Sequence, residues 1–521
     1  VDRKAGWGAV AGIASAAVAL GVAEVVAVAT GPRSTPIVAV GGVVVDNVPE
    51  PVKQFAIDVF GVHDKTALLI GTGILLAVFA GLIGVLAVRD IRLGYAGIGV
   101  FALIGIAAAL TRPGAGPGAA LPAVVGAAAG ALALWALLAG PFRLGASESV
   151  KPAERAGDAA ADPRPGSDNR RRFLATSGGL IAAAAVAGGF GRVLSSGRDV
   201  SRAREALTLP NPTDPAPPVP AAADLHMPGL TPYLTPNADF YRIDTALVVP
   251  RVDPRTWQLR IHGRVGNPMT LTYDDLLRRP LVERHVTLAC VSNEVGGDLI
   301  GNARWLGVHL KDLLDEAAPD DGADQVVGRS ADGWTCGSPT EILRDGRDAL
   351  LAIGMNGEPL PIEHGFPARV VVPGLYGYVS ACKWVVELEL SSFADFDAYW
   401  VPRGWAAQAP IKTQSRIDTP RSGRDSKAGT VTVAGVAWAQ HRGIARVEVR
   451  VDDGPWQEAT LASTVSRDTW RQWSWRWEAT SGEHTLSVRA TDATGQVQPG
   501  RRQPVAPDGA PGWHTVRVTV V

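Results

Sequence analysis

Among 521 residues there are three cysteines, and one of them occupies a position suited to chemistry. Cys290 lies in VTLACVSNEVGGDLIGNARWLGVHL, where a short β-rich run, Val286 to Ala289, delivers it to the turn-forming stretch SNEVGG. A side chain at a strand end that opens into a loop is well placed to face a bound ligand. A thiolate there is a soft donor for a transition metal, and coordination removes its proton outright. The bland alternative, a small buried apolar cysteine, stays open on spacing alone. Cys336 in GWTCGSP and Cys382 in ACKW are the remaining pair. In an exported chain they are candidates for a disulfide, whereas a chain that folds before export meets a reducing compartment first, which favours two free thiols.

The text around Cys290 adds more. From Thr235 to Trp384 the chain carries TPNADFYRID, TLACVSN, ARWLGVHLKDLL, MNGEPLPIEHGFPARVVVPGLYGY and SACKW, which in this order and spacing resemble the molybdopterin domain of the sulfite oxidase superfamily. The resemblance implies that Cys290 is the protein ligand to molybdenum and the catalytic cysteine. It implies that Asn237, Phe240 and Tyr241 line the pterin site, that Ser330 approaches it, and that His364, Arg369, Ser380 and Lys383 hold the pyran ring and phosphate. The residue types suit that task, because a phosphate is held by a bidentate Arg or a Lys point charge together with hydroxyl or backbone donors. Each also has a plainer reading: His364 before a glycine bonds a turn, and Arg369 inside a valine run forms a structural ion pair. The implied chemistry is two-electron oxygen-atom transfer on a small substrate, sulfoxide or sulfite-like. The chain departs from sulfite oxidases at Val295, where they carry an arginine five residues after the ligand cysteine, at YRID in place of an Arg-Asn-His run, and at Trp405 in place of a substrate-facing tyrosine. Removing cationic donors weakens an anion site, so a neutral substrate becomes at least as good a candidate as sulfite. Exported bacterial members of the superfamily, such as the catalytic subunit of periplasmic methionine sulfoxide reductase, are similar in the cofactor motifs.

The elements that must position these residues belong to several domains. Hydrophobic residues make up 46% of the chain and the mean hydropathy is +0.10, high for a wholly soluble protein. The excess lies in apolar runs at roughly Trp7 to Ala29, Ala67 to Val88, Leu93 to Leu110, Ala119 to Ala139 and Phe173 to Phe190, each near the ~20 residues that cross a bilayer as a helix. Arg3 and Lys4, then Arg89 and Arg92, then Arg143, Lys151, Arg155, Arg164 and Arg170 to Arg172 fall on one side if every run crosses. The positive-inside rule makes that side cytoplasmic and puts everything after Phe190 outside, together with the loop from Gly31 to Thr66. The loop segment VPEPVKQFAIDVFGVHDK reads as a short amphipathic helix. Glu24 lies within the first run, where an acid is a functional candidate, and its place near the outer end favours a solvated interfacial side chain. Arg170-Arg171-Arg172-Phe173-Leu174 resembles the twin-arginine export signal; the plainer alternative is a positive-inside anchor.

The expected organisation is therefore four transmembrane helices in 1–145, a cytoplasmic linker in 146–169, the twin-arginine-like motif and a fifth transmembrane helix in 170–194, and a Pro/Ala-rich linker in 195–236, read as an extended spacer. An α+β catalytic domain follows in 237–411. Within it WQLRIHGRV alternates like a strand, YDDLLRR and LGVHLKDLLDEA show helical spacing, and FPARVVVPG reads as a buried strand. Residues 412–521 read as an immunoglobulin-like β-sandwich, in the position where the family carries its dimerisation domain. Trp473, Trp475 and Trp477 share one strand face by the period of two, serving core packing or a homodimer interface.

The expected protein is thus a multi-pass protein of the cytoplasmic membrane with its catalytic domain outside, holding molybdenum-molybdopterin. No haem is expected, because the only histidine before His226 is His63, in a loop, so electrons would pass to a separate partner. A net charge of −1 and the absence of a basic cluster beyond the membrane flanks argue against nucleic acid. The alternative from another class is a cofactor-free cell-surface binding or structural protein that keeps the fold.

Overall fold

The computed structural model describes residues 3–48, 64–112, 115–140, 167–195, 198–423 and 425–521, with the single positions 52 and 59. The chain forms two compact units, Val1–Arg198 with Thr245–Val248, and Asp199–Asp244 with Val249–Val521. Most of 146–169 and the segment VPEPVKQFAIDVFGVHDK lie outside the described residues.

The first unit is helical: α1 (Arg3–Thr30), α2 (Pro36–Asn47), α3 (Asp64–Arg89), α4 (Ile91–Leu110), α5 (Leu121–Leu138) and α6 (Ser167–Ser195). Four stretches, Lys4–Thr30, Ala67–Arg89, Ile91–Leu110 and Pro117–Leu138, are long and apolar enough to cross a membrane. Large apolar side chains such as Ile74, Leu75, Phe79, Leu82, Leu103 and Leu132 stand exposed along them, a surface suited to lipid. Helix α1 is the centre of the bundle because its small residues admit close neighbours. A Cβ added at Gly12 would lie 2.0 Å from the Ala80 carbonyl oxygen of α3, one at Gly126 of α5 would lie 2.5 Å from that of Ala19, and one at Gly21 would lie 2.6 Å from that of Ala184 in α6. Such small-residue seams bring backbones together where lipid supplies no hydrophobic drive. Helix α6 contains the expected fifth span, but its apolar stretch, Phe173–Gly189, is shorter than the other four.

The second unit opens with α7 (Arg198–Ala206) and then an extended segment. Within 195–236, expected to be a free spacer, residues 199–236 are packed onto the domain. Val200 and Tyr233 are buried, the Thr213 N–H donates to the Leu281 carbonyl at 2.8 Å, and the Leu225 N–H donates to Gln472 Oε1 at 2.7 Å. Proline favours extended backbone, and here that backbone finds partners along its length. The strands β1 (Gln258–Gly263), β2 (Met269–Thr272), β3 (Val282–Ala289), β4 (Ile300–His309), β5 (Gln325–Ser330), β6 (Thr335–Pro339), β7 (Leu350–Met355), β8 (Glu358–Pro359), β9 (Arg369–Val371) and β10 (Val385–Ser391) form two sheets, ordered β2-β1-β10-β5-β6 and β3-β4-β7-β8 with β9 also on β7.

Strand β1 alternates as expected, with Leu259 and Ile261 fully buried. The short helix α8 (Tyr273–Arg278) starts at a capping box made by Thr272 and Asp275. The stretch LGVHLKDLLDEA is helical only from Leu310 in α9 (Leu310–Ala317). Its first four residues continue β4, because Gly307 and Val308 pair with Ala352 and Leu351 of β7. Two further short helices are α10 (Thr340–Arg344) and α11 (Gly377–Ser380).

The C-terminal region is the expected sandwich. Strands β11 (Gln414–Thr419), β12 (Asp425–Ser426), β13 (Gly429–Trp438), β14 (Ile444–Val451), β15 (Gln457–Glu458), β16 (Thr460–Leu461), β17 (Arg471–Ala479), β18 (Gly482–Asp492) and β19 (His514–Val520) make sheets ordered β11-β13-β17-β16 and β12-β19-β18-β14-β15. Trp473 and Trp477 are buried in its core and Trp475 packs against it.

Candidate functional site

Cys290 is the first residue past β3, a strand buried along nearly its whole length. The turn after it is closed by two bonds: the Cys290 N–H donates to the Leu299 carbonyl at 2.9 Å, and Asn293 Oδ1 accepts from the Leu299 N–H at 2.9 Å. The C-terminal sandwich grips both strand and turn. Thr287 of β3 accepts from the Gln440 amide at 3.0 Å and from the Trp470 N–H at 2.8 Å, while the Arg416 guanidinium donates to the Gly297 carbonyl at 2.7 Å. Gly296, at φ +85°, leaves room for the His514 ring, which a Cβ would strike at 2.2 Å. Burial pushes the Cys290 thiol up, against the opposing N–H groups of Ser292 and Val291 and the Ser292 hydroxyl. The cysteine therefore keeps its proton until a cation displaces it.

His514 makes a testable contribution to this grip. Its Nδ1 accepts from the Ile417 N–H at 2.9 Å, which requires a neutral ring, and burial followed by Arg416 holds its pKa down at about 4 against an ordinary 6.5. Between those values the unfolded chain binds the proton that the folded chain refuses. The stability present above pH 6.5 is therefore lost as pH falls toward 4, on the order of 3 kcal/mol from this residue. Urea midpoints measured from pH 7 to pH 4 should show that limb. The His514→Gln variant, which keeps an acceptor without titrating there, should make the limb shallower, leaving the share that the likewise depressed His364 contributes; an identical limb in the variant would exclude His514 as a source.

Around Cys290 the chain assembles most of the expected site residues. Tyr241 is partly buried, and desolvation of its hydroxyl, then the nearby Cys290, push its phenol well above the usual range. Burial takes Tyr376 to about 12, with Asp508 and Cys290 adding to the shift against the Lys412 N–H. Phe240 stacks on Tyr241 with centroids 5.2 Å apart and meets Trp305 and His364 edge-on at 5.8 and 5.6 Å. Gly301 makes room for this ring, since a Cβ there would come 2.7 Å from Phe240.

His364 follows a short turn after Pro361, and its Nε2 lies 3.1 Å from the Asn237 carbonyl. Burial, then Arg369, holds its pKa at about 4, so at neutral pH the ring is uncharged and able both to donate and to accept. Arg369 opens β9, stacks over Trp305 at 5.0 Å and donates to the His364 carbonyl at 3.1 Å. Burial lowers it to about 10, against opposing contributions from Tyr241 and Cys382. Among the described residues no carboxylate lies within ion-pair distance of Arg369. Lys383 is held differently: its Nζ donates to Asp244 at 2.7 Å and to the Glu363 carbonyl at 3.2 Å, and burial brings it to about 8 in spite of Asp244.

Two expected residues engage their hydroxyls in local bonds. The Ser380 hydroxyl donates to the Tyr376 carbonyl at 2.9 Å, within its own turn. Ser330 ends β5, and its Oγ accepts from the Asp332 N–H at 3.3 Å in the ADGW turn. The sequence reading also missed residues that the fold brings in. Asp244 partners Lys383, and Glu358 accepts from the Asn237 amide at 2.6 Å; the Asn237 Oδ1 in turn accepts from Asn356 at 2.8 Å. The only signal for Asp244 was its place in YRID, a motif noted as a departure. Glu358 lies in the quoted stretch MNGEPLPIEHGF, but nothing local to it marks it as the partner of Asn237. Trp405 is buried against Tyr378 and Trp400, at 5.7 and 6.2 Å. Cys336 and Cys382 are both buried free thiols.

A cavity of about 470 Å³ opens beside this cluster, lined among others by Asn237, Phe240, Arg242, Glu358 and His364, with Cys290, Arg369 and Lys383 not among its lining residues. Its size is that of a small-molecule site. A buried guanidinium with no acid in ion-pair distance among the described residues, a neutral histidine and a partly compensated lysine form a donor set suited to an anion, and Cys290 can supply one sulfur donor to a metal. Both features fit a molybdenum cofactor with its pterin phosphate.

Comparison with known proteins agrees. The model for the oxidoreductase molybdopterin binding domain matches residues 246–400, and that for a bacterial Ig domain matches 414–488. The mitochondrial sulfite oxidase of Mus musculus is 32% identical over 342 residues, 56% of this chain and 62% of that protein. The sulfite oxidase of Arabidopsis thaliana is 30% identical over 328 residues, 51% of this chain and 82% of its own length. The chain thus spans under two thirds of the mouse relative. Among solved structures, the sulfane dehydrogenase SoxCD of Paracoccus pantotrophus is 25% identical, with a TM-score of 0.49, covering 56% of this chain and 82% of that one.

Proposed function

This chain belongs to the sulfite oxidase superfamily of molybdopterin-dependent oxidoreductases, and on that footing we propose that it is a membrane-anchored molybdoenzyme working on the extracytoplasmic side. Its reaction is a two-electron oxygen-atom transfer on a small sulfoxide or sulfite-like substrate. The observation that carries the proposal is the buried Arg369, which has no carboxylate within ion-pair distance among the described residues and shares a cluster with Cys290, Tyr241 and His364. A lone buried cation is costly unless an anion joins it. The residues to hold the group are Cys290 at the metal, Asn237, Phe240, Tyr241, His364 and Arg369 around the pterin, and Lys383, with Ser330 and Ser380 from the flanking turns. When bound, the molybdenum centre supplies the two-electron redox chemistry.

The chain's own residues position and exclude. Tyr241 lies beside the cysteine with Phe240 stacked on it, and the neutral His364 offers one ring nitrogen to Asn237 and the other to a ligand. Val295 and the buried Trp405 leave the substrate side without two of the polar groups of the sulfite-oxidising relatives, which supports a neutral substrate beside sulfite. The arginine-rich flanks of the apolar runs and the RRRFL motif support export with retention in the membrane. With no histidine in the apolar runs, electrons pass to a separate partner, and the C-terminal sandwich is the surface for a homodimer.

The deciding experiment is the metal content of the detergent-purified chain from a host that makes molybdopterin. About one molybdenum per chain is expected. None in a folded, exported protein would reverse the proposal in favour of a cofactor-free binding protein.

A further inference from the structure

Helix α7 lies upstream of the segment that the molybdopterin-binding family matches, which starts at residue 246, yet it walls the cavity. Ser201, Arg204 and Glu205 line it together with Asn237, Phe240 and His364. The helix is fastened from two sides. Val200 is 5% exposed and belongs to the same core cluster as Phe240 and Ile362. Arg204 carries the other side: its Nε donates to the Leu360 carbonyl at 2.8 Å, and its Nη2 donates to the Pro359 carbonyl at 2.6 Å and to Glu358 Oε2 at 2.9 Å. The other oxygen of Glu358 accepts from the Asn237 amide at 2.6 Å. A chain of contacts therefore runs from α7 through Arg204 and Glu358 to a residue expected to touch the pterin, and the segment that Arg204 grips leads directly into Pro361 to His364, which also line the cavity.

We propose that Arg204 is a positioning residue for the cofactor: it docks α7 as one wall of the pterin cavity and, through Glu358, fixes the Asn237 amide that meets the ring. This rests on the cavity being the pterin site. Because outer-shell partners orient groups that touch a metal or cofactor, their loss typically costs ~10–100-fold in affinity. Losing Arg204 also releases a wall, so the cofactor should leave faster as well as sit less firmly.

The test uses the full chain, purified in detergent from a molybdopterin-making host. Molybdenum and the fluorescent oxidised pterin retained by the protein are followed over timed gel filtration. Arg204→Ala and Glu358→Ala should each release cofactor at least ~10-fold faster than wild type, and the double variant no faster than Arg204→Ala alone, since both act along one chain of contacts. Arg202→Ala, on the exposed side of the same helix, should release at the wild-type rate. Release from Arg204→Ala at that rate, or a double variant whose effect is the product of the two single effects, would overturn the proposal. If Arg204→Ala does not fold, Glu358→Ala decides: its side chain is half exposed, so its loss opens no core, and unchanged release would sink the idea. A wild-type protein without molybdenum overturns the reading of the cavity beneath it, a result distinct from either.

Discussion

Cys290→Ser should lose molybdenum-dependent turnover by far more than the ~10–100-fold that follows loss of an outer-shell partner, while the protein still folds, exports and keeps most of its pterin. Serine is nearly the same size, and its hydroxyl can accept the Ser292 and Val291 N–H groups that face the sulfur. The turn is closed by the Cys290 and Leu299 backbone and by Asn293, not by the thiol, so β3 and its grip by the sandwich survive. The difference lies in the donor. A soft thiolate binds a transition metal and gives up its proton to it, whereas a hydroxyl in the same buried place does neither well. The pterin should remain because the groups expected to hold its phosphate, Arg369 and Lys383, are separate from the cysteine. Turnover per molybdenum, pterin content and thermal melting of the variant against wild type give the answer. Full turnover would remove Cys290 from the metal, and a lost melting transition would make it a structural residue.

The sequence shows this site unevenly, and the reasons are physical. Helical spans and sandwich strands are legible because their signals are local: apolar length for α1, α3, α4 and α5, and a period of two for β13, β17 and β18. Cys290 is legible because a β-rich run meets a turn. Two kinds of feature are not. Gly307 and Val308 have helical spacing, yet partners in β7 override it, and the pairing of strands distant in sequence leaves no trace in a single stretch. Likewise, the Pro/Ala-rich segment has the composition of a spacer, and only the burial of Val200 and Tyr233 shows that it is a strap. Lys383 and Asp244 are separated by well over a hundred positions, so the salt bridge that compensates the lysine, and by contrast leaves Arg369 as the uncompensated charge, is a property of the fold alone. Ser330 and Ser380 show the converse: matching a motif identifies the residue, while the hydrogen bond its hydroxyl makes is set by its own turn.

That asymmetry between the two cations leads to an expected result with opposite signs in two measurements. Arg369→Met should stabilise the cofactor-free protein and remove cofactor binding from the loaded one. In the free protein Arg369 is 5% exposed, its guanidinium donates to the His364 and Val370 carbonyls and lies over the face of Trp305, and burial lowers its pKa to about 10. An apolar side chain of similar length keeps the contact with Trp305 and removes the buried charge, a change of the kind that gains on the order of 1–4 kcal/mol. Holding an anionic pterin is the compensation for that charge, and methionine offers it nothing. Arg369→Lys separates charge from geometry: it keeps the cation but loses the planar fork that grips two phosphate oxygens, so its cofactor content should fall between the other two. The measurements are urea midpoints of protein made in a host lacking molybdopterin, and molybdenum and pterin per chain in a host that makes it. Methionine protein that loads cofactor as wild type does would show that Arg369 is not the anion anchor. A methionine variant less stable than wild type without cofactor would show that the guanidinium is a structural member of the core, the ion-free counterpart of the plain reading that its valine-rich neighbours first suggest.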